Sequence, residues 1–433
     1  MRSRHISLIH LLSFDEYIAR RKEFGYHGYL ENHIYNRGST MAESNTKKRD
    51  IVLFLGAGFS HDAGLPAMSE FGHASQQDYD GLSKPRQPRE AAPMLIEAAD
   101  VFMRFQQFCK ASPTLRDSDV ENLETVFCIA EAMQESGIEN VSLNGQVYSS
   151  MVLINEIQVW LWKVYQQCPL LNKERRNETN PETYRRFFNV LKEANAGCNL
   201  TVITTNYDLI YEYLSWKNGI EFLYPLDNAK TLNAGNDCKP YFCLGERDHL
   251  CKTVICKLHG SVNYFYDSSE DNKDFLFVSN DLFLKEPICG ITFKDKRPAI
   301  FAVNAICNIH KKYGRGFMPA IIPPTYAKLT QQSWLRTIWH EALDALSKAK
   351  KIIFIGYSMP DSDGFMRALI HSALAIRASR NAVPPQVFVI AKSQETHQRY
   401  QRLFHETYRP LPPLPFSEAT KSVIPEILNK NNC

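Results

Sequence analysis

Six short runs rich in β-branched residues, each closing on a glycine or on polar side chains, constrain this chain more than any other feature. They are IVLFL at 51–55, LTVITT at 200–205, TVICKL at 253–258, PAIIPP at 319–324, KIIFIG at 351–356 and QVFVIA at 386–391. Near-continuous apolar runs of this length suit strands covered on both faces, and helix-period patterns lie between them. The combination predicts an α/β fold, a Rossmann-like doubly wound parallel sheet. About 145 residues separate the first run from the second, far more than one crossover requires. Within that stretch Val120, Leu123, Phe127 and Ala130 share one helical face. Tyr184, Phe187, Phe188 and Leu191 share another, which Gly197 ends. A large helical insertion over 67–199 is therefore expected.

The chain is long enough for two or three domains, or for one large α/β domain carrying an insertion. Its 44% apolar and 22% charged residues are those of a folding chain and exclude a disordered or fibrous one. Fifty basic against forty-seven acidic residues leave a net charge of +3, which calls for neither nucleic acid nor an anionic membrane as partner. The most apolar stretch, Met151 to Tyr165, is broken by Asn155, Glu156 and Gln158, short of the ~20 apolar residues that cross a bilayer. Eleven cysteines at irregular spacing do not form a disulfide framework, and no secretory signal pattern is visible. A cytoplasmic protein is expected. Residues 1–49 read as an N-terminal extension and linker, 51–392 as the main domain with a second irregular insertion over 263–318, and 393–433 as a tail. The tail holds the proline-rich RPLPPLP at 409–415, expected to run extended over the surface.

Four segments carry chemistry. In IVLFLGAGFSHDAGLP at 51–66, an apolar strand runs into Gly56, Gly58 and Gly64 at the start of a helix. Such glycines let a backbone approach a pyrophosphate seated on helical N–H groups, and equally they serve a tight turn. The spacing departs from G-x-G-x-x-G, because the third glycine position falls on His61. Ser60 adds a hydroxyl beside the same turn. In VITTNYDLIYEYL at 202–214, Thr204, Thr205, Asn206 and Asp208 follow a strand, where open α/β sheets bind ligands. Asn206 or Asp208 could instead serve as a helix N-cap, Asp208 above all. In ICKLHGSVNYFY, His259 and Gly260 again follow a strand. In KKIIFIGYSMPDSDGF, Gly356 and Ser358 follow one, with Asp361 and Asp363 leading into a helix whose dipole they would suit.

These four segments, in this order, resemble the sirtuin-like family of NAD-binding domains. GAGFSHDAGLP looks like the family's GAG-x-S-x-x-x-G-[IL]-P loop, TTNYD like its T-x-N-[IY]-D segment, LHGS like its histidine-glycine motif and GYS like its second nucleotide motif. The resemblance spans about 51–392. Departures from the deacetylating branch are equally informative. Pro66 is followed by Ala67, Met68 and Ser69 in place of Asp-Phe-Arg, and the chain has no C-x-x-C. Cys238, Cys243, Cys251 and Cys256 stand five, eight and five residues apart, too loose for paired zinc ligands, so no metal is expected. TTNYD, the insertion and GYSMPDSD look instead like the bacterial sirtuin-like NADases that defend against phage by consuming NAD⁺.

What the resemblance implies follows residue by residue. NAD⁺ is the expected substrate. Asn206 would hold the ribose and a water, His259 would act as base, and Asp208 would contact the nicotinamide carboxamide or orient its neighbours. Gly56, Ala57, Gly58 and Ser60 would cradle the diphosphate, with Gly64 and Thr205 beside them. Gly356, Tyr357 and Ser358 would contact the adenosine half. The implied activity is NAD⁺ glycohydrolysis. Alternatives are a protein deacylase or ADP-ribosyltransferase, and a sensor that binds NAD⁺ or an ADP-ribose derivative without catalysis. A hydrolase of a central cofactor must be held off, so a homo-oligomer and an activating partner are expected, such as a ring ATPase or a phage component.

Overall fold

The computed structural model describes residues 49–82, 92–165, 180–195, 197–232, 242–245, 253–267, 276–279, 317–322, 332–360 and 363–428. The expected N-terminal extension, Cys238, Cys251, Asp361 and most of 263–318 lie outside them. In chain order the strands are β1 (Arg49–Leu55), β2 (Asn140–Leu143), β3 (Gln146–Ser149), β4 (Cys198–Thr204), β5 (Phe222–Tyr224), β6 (Lys230–Leu232) and β7 (Phe242–Leu244). They continue with β8 (Thr253–Lys257), β9 (Gly260–Asp267), β10 (Leu276–Ser279), β11 (Phe317–Ile321), β12 (Lys351–Ile355) and β13 (Gln386–Ile390).

Seven of these form one sheet in the order β13-β12-β1-β4-β8-β5-β7, and every neighbouring pair runs parallel. This is a Rossmann-like doubly wound sheet. The central strands are apolar throughout because both faces are covered, and Leu53, Phe54, Val202, Val254, Ile255 and Ile353 are buried. Of the six runs expected in this sheet, five lie in it. The sixth does not: β11 pairs antiparallel with β9 in a separate sheet ordered β11-β9-β10-β6. Pro319 has no N–H to give a ladder, which suits an edge strand, and the register shifts between Pro319 and Ile321. The central sheet takes β5 and β7 instead, strands of three residues each, too short to show a period.

Helices α1 (Ala57–His61), α2 (Phe71–Leu82), α3 (Ala92–Lys110), α4 (Asp117–Glu121), α5 (Leu123–Glu135) and α6 (Ser150–Tyr165) follow β1. Val120, Leu123, Phe127 and Ala130 are all buried, on two helices separated at Asn122, whose side chain accepts from the Glu124 N–H at 2.9 Å. With Phe71, Phe102, Phe105, Leu153 and Trp160 they form a second hydrophobic core, distinct from that of the central sheet. This core docks on the second sheet, where the Trp162 indole donates to Val262 O at 2.7 Å and Gln158 to Ile321 O at 3.0 Å. Helix α7 (Pro181–Asn195) belongs elsewhere. Its Tyr184, Phe187, Phe188 and Leu191 pack in the core of the central sheet.

Four helices complete the main layer: α8 (Ile210–Lys217), α9 (Ser333–Lys348), α10 (Gly364–Ser379) and α11 (Gln394–Phe404). The C-terminal segment is built into the domain. Arg409 N donates to Val387 O at 2.8 Å and Leu414 N to Ala391 O at 3.0 Å, so the proline-rich stretch shields the edge strand β13. Beyond it, the Phe416 ring lies 5.2 Å from that of Phe59, and Lys351 Nζ reaches Ile427 O at 2.6 Å. No helix among the described residues is long and apolar enough to cross a membrane.

Candidate active site

Five strand ends stand in one row, for Ile390, Ile355, Leu55, Thr204 and Lys257 are successive register partners across β13, β12, β1, β4 and β8. Because the strands are parallel, the turns leaving β12, β1, β4 and β8 open at the same sheet edge and at the same level. With neighbouring strands ~4.8 Å apart, four turns span about 14 Å, the scale of an extended dinucleotide. The winding also reverses at β1, which has β4 on one side and β12 on the other. The crevice at such a switch point is where open α/β sheets bind ligands.

The two glycine turns meet backbone to backbone. Gly56 N donates to Ile355 O at 3.0 Å and Gly58 N to Gly356 O at 2.9 Å. A Cβ on Gly56 would lie 2.6 Å from Tyr357 Cα, and one on Gly356, at φ +65, would lie 2.4 Å from Phe59 N. Close packing thus accounts for these glycines without a phosphate, and three amides of the first turn, those of Gly56, Gly58 and Phe59, already have main-chain acceptors. Gly64, at φ +86, closes the turn after α1, its N–H on His61 O. Ala57, the first residue of α1, is half-buried.

Asn206 ties the first turn to the second motif. Its Nδ2 donates to Gly56 O at 2.9 Å and to Ser60 Oγ at 3.0 Å, and its own N–H is held by Thr204 Oγ1 at 3.0 Å. Ser60 is buried, so its hydroxyl serves this contact. Thr205 N reaches Leu55 O at 3.3 Å, and Thr204 Oγ1 donates to the same carbonyl at 3.0 Å. With both Asn206 amide hydrogens engaged, its Oδ1 is the atom left to accept a hydroxyl or a water, at a half-buried position.

Asp208 is buried, and from one residue ahead of the N-cap, which is Leu209, its carboxylate accepts from Ile210 N at 2.9 Å. His259 is 2% exposed; its ring lies 6.2 Å from that of Tyr207, and its carbonyl accepts from Ile322 N at 2.9 Å. Gly260, at φ +76, could take no side chain, since a Cβ would fall 2.0 Å from Ala320 O. In the fourth turn Tyr357 is buried and donates to Asp363 Oδ2 at 2.5 Å, while Tyr400 donates to Tyr357 O at 3.0 Å. Burial, then the neighbouring Asp363 carboxylate, push the Tyr357 phenol well above its ordinary range, so it is a neutral donor. Ser358 is exposed, and its carbonyl accepts from Arg399 at 2.9 Å. Asp363 also caps α10, its Oδ1 accepting from Met366 N at 3.3 Å.

Sequence reasoning missed a buried polar group beneath these turns. Lys257 Nζ lies 3.1 Å from Glu212 Oε1, both side chains 1% exposed, and donates to Asp208 O. Tyr224 OH donates to the same carboxylate at 3.3 Å, and Asn263 Nδ2 to Tyr224 OH at 3.4 Å. The legible signal was a charge inside each of two apolar runs, TVICKL and LIYEYL. Of the cysteines considered as ligands, Cys256 is buried within β8 and Cys243 exposed on β7.

Residues 200–410 match the family of SIR2-like domains. The fold defines the class, a Rossmann-like α/β protein, and the match to the SIR2-like model covers just under half of the chain. The matched stretch holds TTNYD, LHGS and GYS, and the turn at Gly56 precedes it. Among curated proteins nothing matches the chain. Several solved structures are similar, two of them as follows. One is Sir2 in complex with the inhibitor EX-527, 2'-O-acetyl-ADP-ribose and a deacetylated p53 peptide, at 11% identity and a TM-score of 0.35. The other concerns the structural basis of sirtuin substrate affinity, at 12% identity and a TM-score of 0.31. Each covers 88% of this chain and 94% of its own.

Proposed function

We propose that this chain is an NAD⁺ glycohydrolase that breaks the nicotinamide–ribose bond. The observation that carries this reading is the row of strand ends, which aligns the turns of Gly356, Gly56, Asn206 and His259 along one sheet edge. The bound nicotinamide is a pyridinium and departs as a neutral base, so the reaction needs no general acid, unlike ordinary glycoside hydrolysis with its paired carboxylates. What it needs is a grip on the ribose, a dry surrounding for a cationic transition state and a positioned water. Asn206, clamped through both amide hydrogens, offers Oδ1 to a ribose hydroxyl or to the water. His259, buried next to Tyr207, takes the proton as the water oxygen joins the anomeric carbon and the C–N bond breaks. The products are nicotinamide and ADP-ribose. Ala57, Ser60, Gly64 and Thr205 border the diphosphate, Tyr357 and Ser358 the adenosine half, and Asp208 acts by shaping the turn that carries Asn206.

The resemblance of TTNYD and GYSMPDSD to anti-phage NADases supports a defence role, with NAD⁺ depletion released by a partner protein or a phage component. Assembly into a homo-oligomer fits the same reading. Of six large hydrophobic side chains exposed among the described residues, Phe108, Ile138, Val147, Met151 and Val152 belong to the helical insertion, and only Val383 does not. The test is incubation of the pure chain with NAD⁺, alone and with an acetylated peptide, following free nicotinamide. Release without peptide, one ADP-ribose per nicotinamide and a rise on adding the activating component is the expected outcome. Release only with peptide assigns a deacylase, and tight binding without release assigns a sensor.

A further inference from the structure

We infer that Lys257, with Glu212 as its counter-charge, is a positioning residue that locks the turn of Asn206 to the turn of His259. This rests on the glycohydrolase reading for its kinetic consequence alone. Lys257 is the last residue of β8, two before His259, and its ammonium reaches across to the carbonyl of Asp208, two after Asn206. Glu212, on the first turn of α8, holds the ammonium at 3.1 Å and is itself held by Tyr224. Among the described residues, further ties between the two turns are main-chain or hydroxyl contacts, such as Leu258 N to Thr204 O at 3.0 Å, Val262 N to Tyr207 O at 3.0 Å and Ser261 Oγ to Tyr207 O at 3.3 Å. Lys257 adds a charged contact to these.

Stability alone does not call for such a pair. Removing two charges from water is costly, and replacing a buried ion pair by apolar residues of similar volume is often neutral or stabilising. Burial in fact pushes the Glu212 carboxyl up, by more than Lys257 pulls it down. An apolar pair of the same size would fill the space. It could not donate to the Asp208 carbonyl, nor hold that carbonyl at a fixed distance from the strand that delivers His259. Displacing one catalytic turn by ~1 Å can lower turnover by about 100-fold.

The deciding variant is Glu212→Leu with Lys257→Met in the full chain. We expect thermal stability at or above wild type, faster amide hydrogen exchange in 205–211 and 258–263, a kcat about 100-fold lower and a KM within about threefold of wild type. Wild-type exchange in both turns overturns the proposal, as does an undiminished kcat in a protein that releases nicotinamide. Should the double variant not fold, Lys257→Arg keeps the charge for Glu212 and alters only the reach to Asp208. The same faster exchange is then expected, and its absence overturns the proposal. If the wild-type chain releases no nicotinamide, the glycohydrolase reading fails, and exchange at the two turns still decides the positioning role.

Discussion

The molecule holds two cores that differ in how many charged groups they bury. Around the central sheet, Asp208, Glu212, Lys257, His259, Asn263 and Asp363 are buried among the apolar side chains, most of them clustered where strands end. The core of the helical insertion is built from Phe71, Phe102, Phe105, Leu123, Phe127, Leu153 and Trp160. Buried polar groups must be satisfied or they destabilise, so a domain that gathers them at one sheet edge has accepted a cost that packing does not require. The insertion buries fewer charges beside its apolar side chains: Gln106 donates to Val120 O at 2.9 Å and the Lys163 ammonium lies over the Trp160 ring. It follows that damage to the first region should be read in chemistry and damage to the second in stability.

The sharpest test of that contrast is at the sheet edge. Asn206→Ala and His259→Ala should each lower nicotinamide release by about 10²- to 10⁴-fold. Both should keep a cooperative unfolding transition, as judged by calorimetry. Near-normal turnover in either would break the comparison.

In the insertion, Leu153→Ala should cost about 2–5 kcal/mol of stability, measured by denaturant titration, with the kcat of the folded protein unchanged. A fall in kcat at full stability would mean that the insertion reaches the site. Smaller effects are expected at the glycines. Gly356→Ala adds a side chain at φ +65 against the backbone of Gly58 and Phe59 and should cost about 1–3 kcal/mol. Gly364→Ala, at the start of α10 with open space around it, should change stability by less than about 1 kcal/mol.

The smallest expected effect belongs to a partly buried carboxylate in the insertion. Glu156 on α6 has one carboxylate oxygen buried without a hydrogen-bond partner. Burial first, then the charge of Glu97, raise its pKa from 4.5 to about 7. The folded state therefore binds this proton more tightly than the unfolded chain does. Its contribution is fully present below pH ~4.5 and is lost as pH rises through about 7. The side chain is partly exposed, so the effect should stay below about 1 kcal/mol. Glu156→Gln should narrow the gap in Tm between pH 5 and pH 8, and an unchanged gap would remove this residue from the account.

Much of the candidate site could be read before any fold was known, because its signals are local. A glycine or a polar cluster directly after an apolar run names a strand end, and Asn206, Asp208, His259 and Gly356 were all found that way. Lys257 and Glu212 were passed over because a single charge within an apolar run gives no hint of its partner forty-five residues away. Asp208 was open to two readings, and from just ahead of α8 its carboxylate accepts from Ile210 N.

By itself the sequence determined that six apolar runs form strands, which helical faces are buried and where these runs turn, since periodicity and turn chemistry act within a few residues. Tertiary structure alone decided which strands are neighbours. PAIIPP reads like any buried strand, yet it pairs with β9, while the three-residue β5 joins β8 in the central sheet. The same holds for the glycines of two turns three hundred residues apart, needed because each backbone fills the space of the other's missing Cβ. Register, too, is a long-range property: only when β12, β1, β4 and β8 pair in step do four separate turns become one edge.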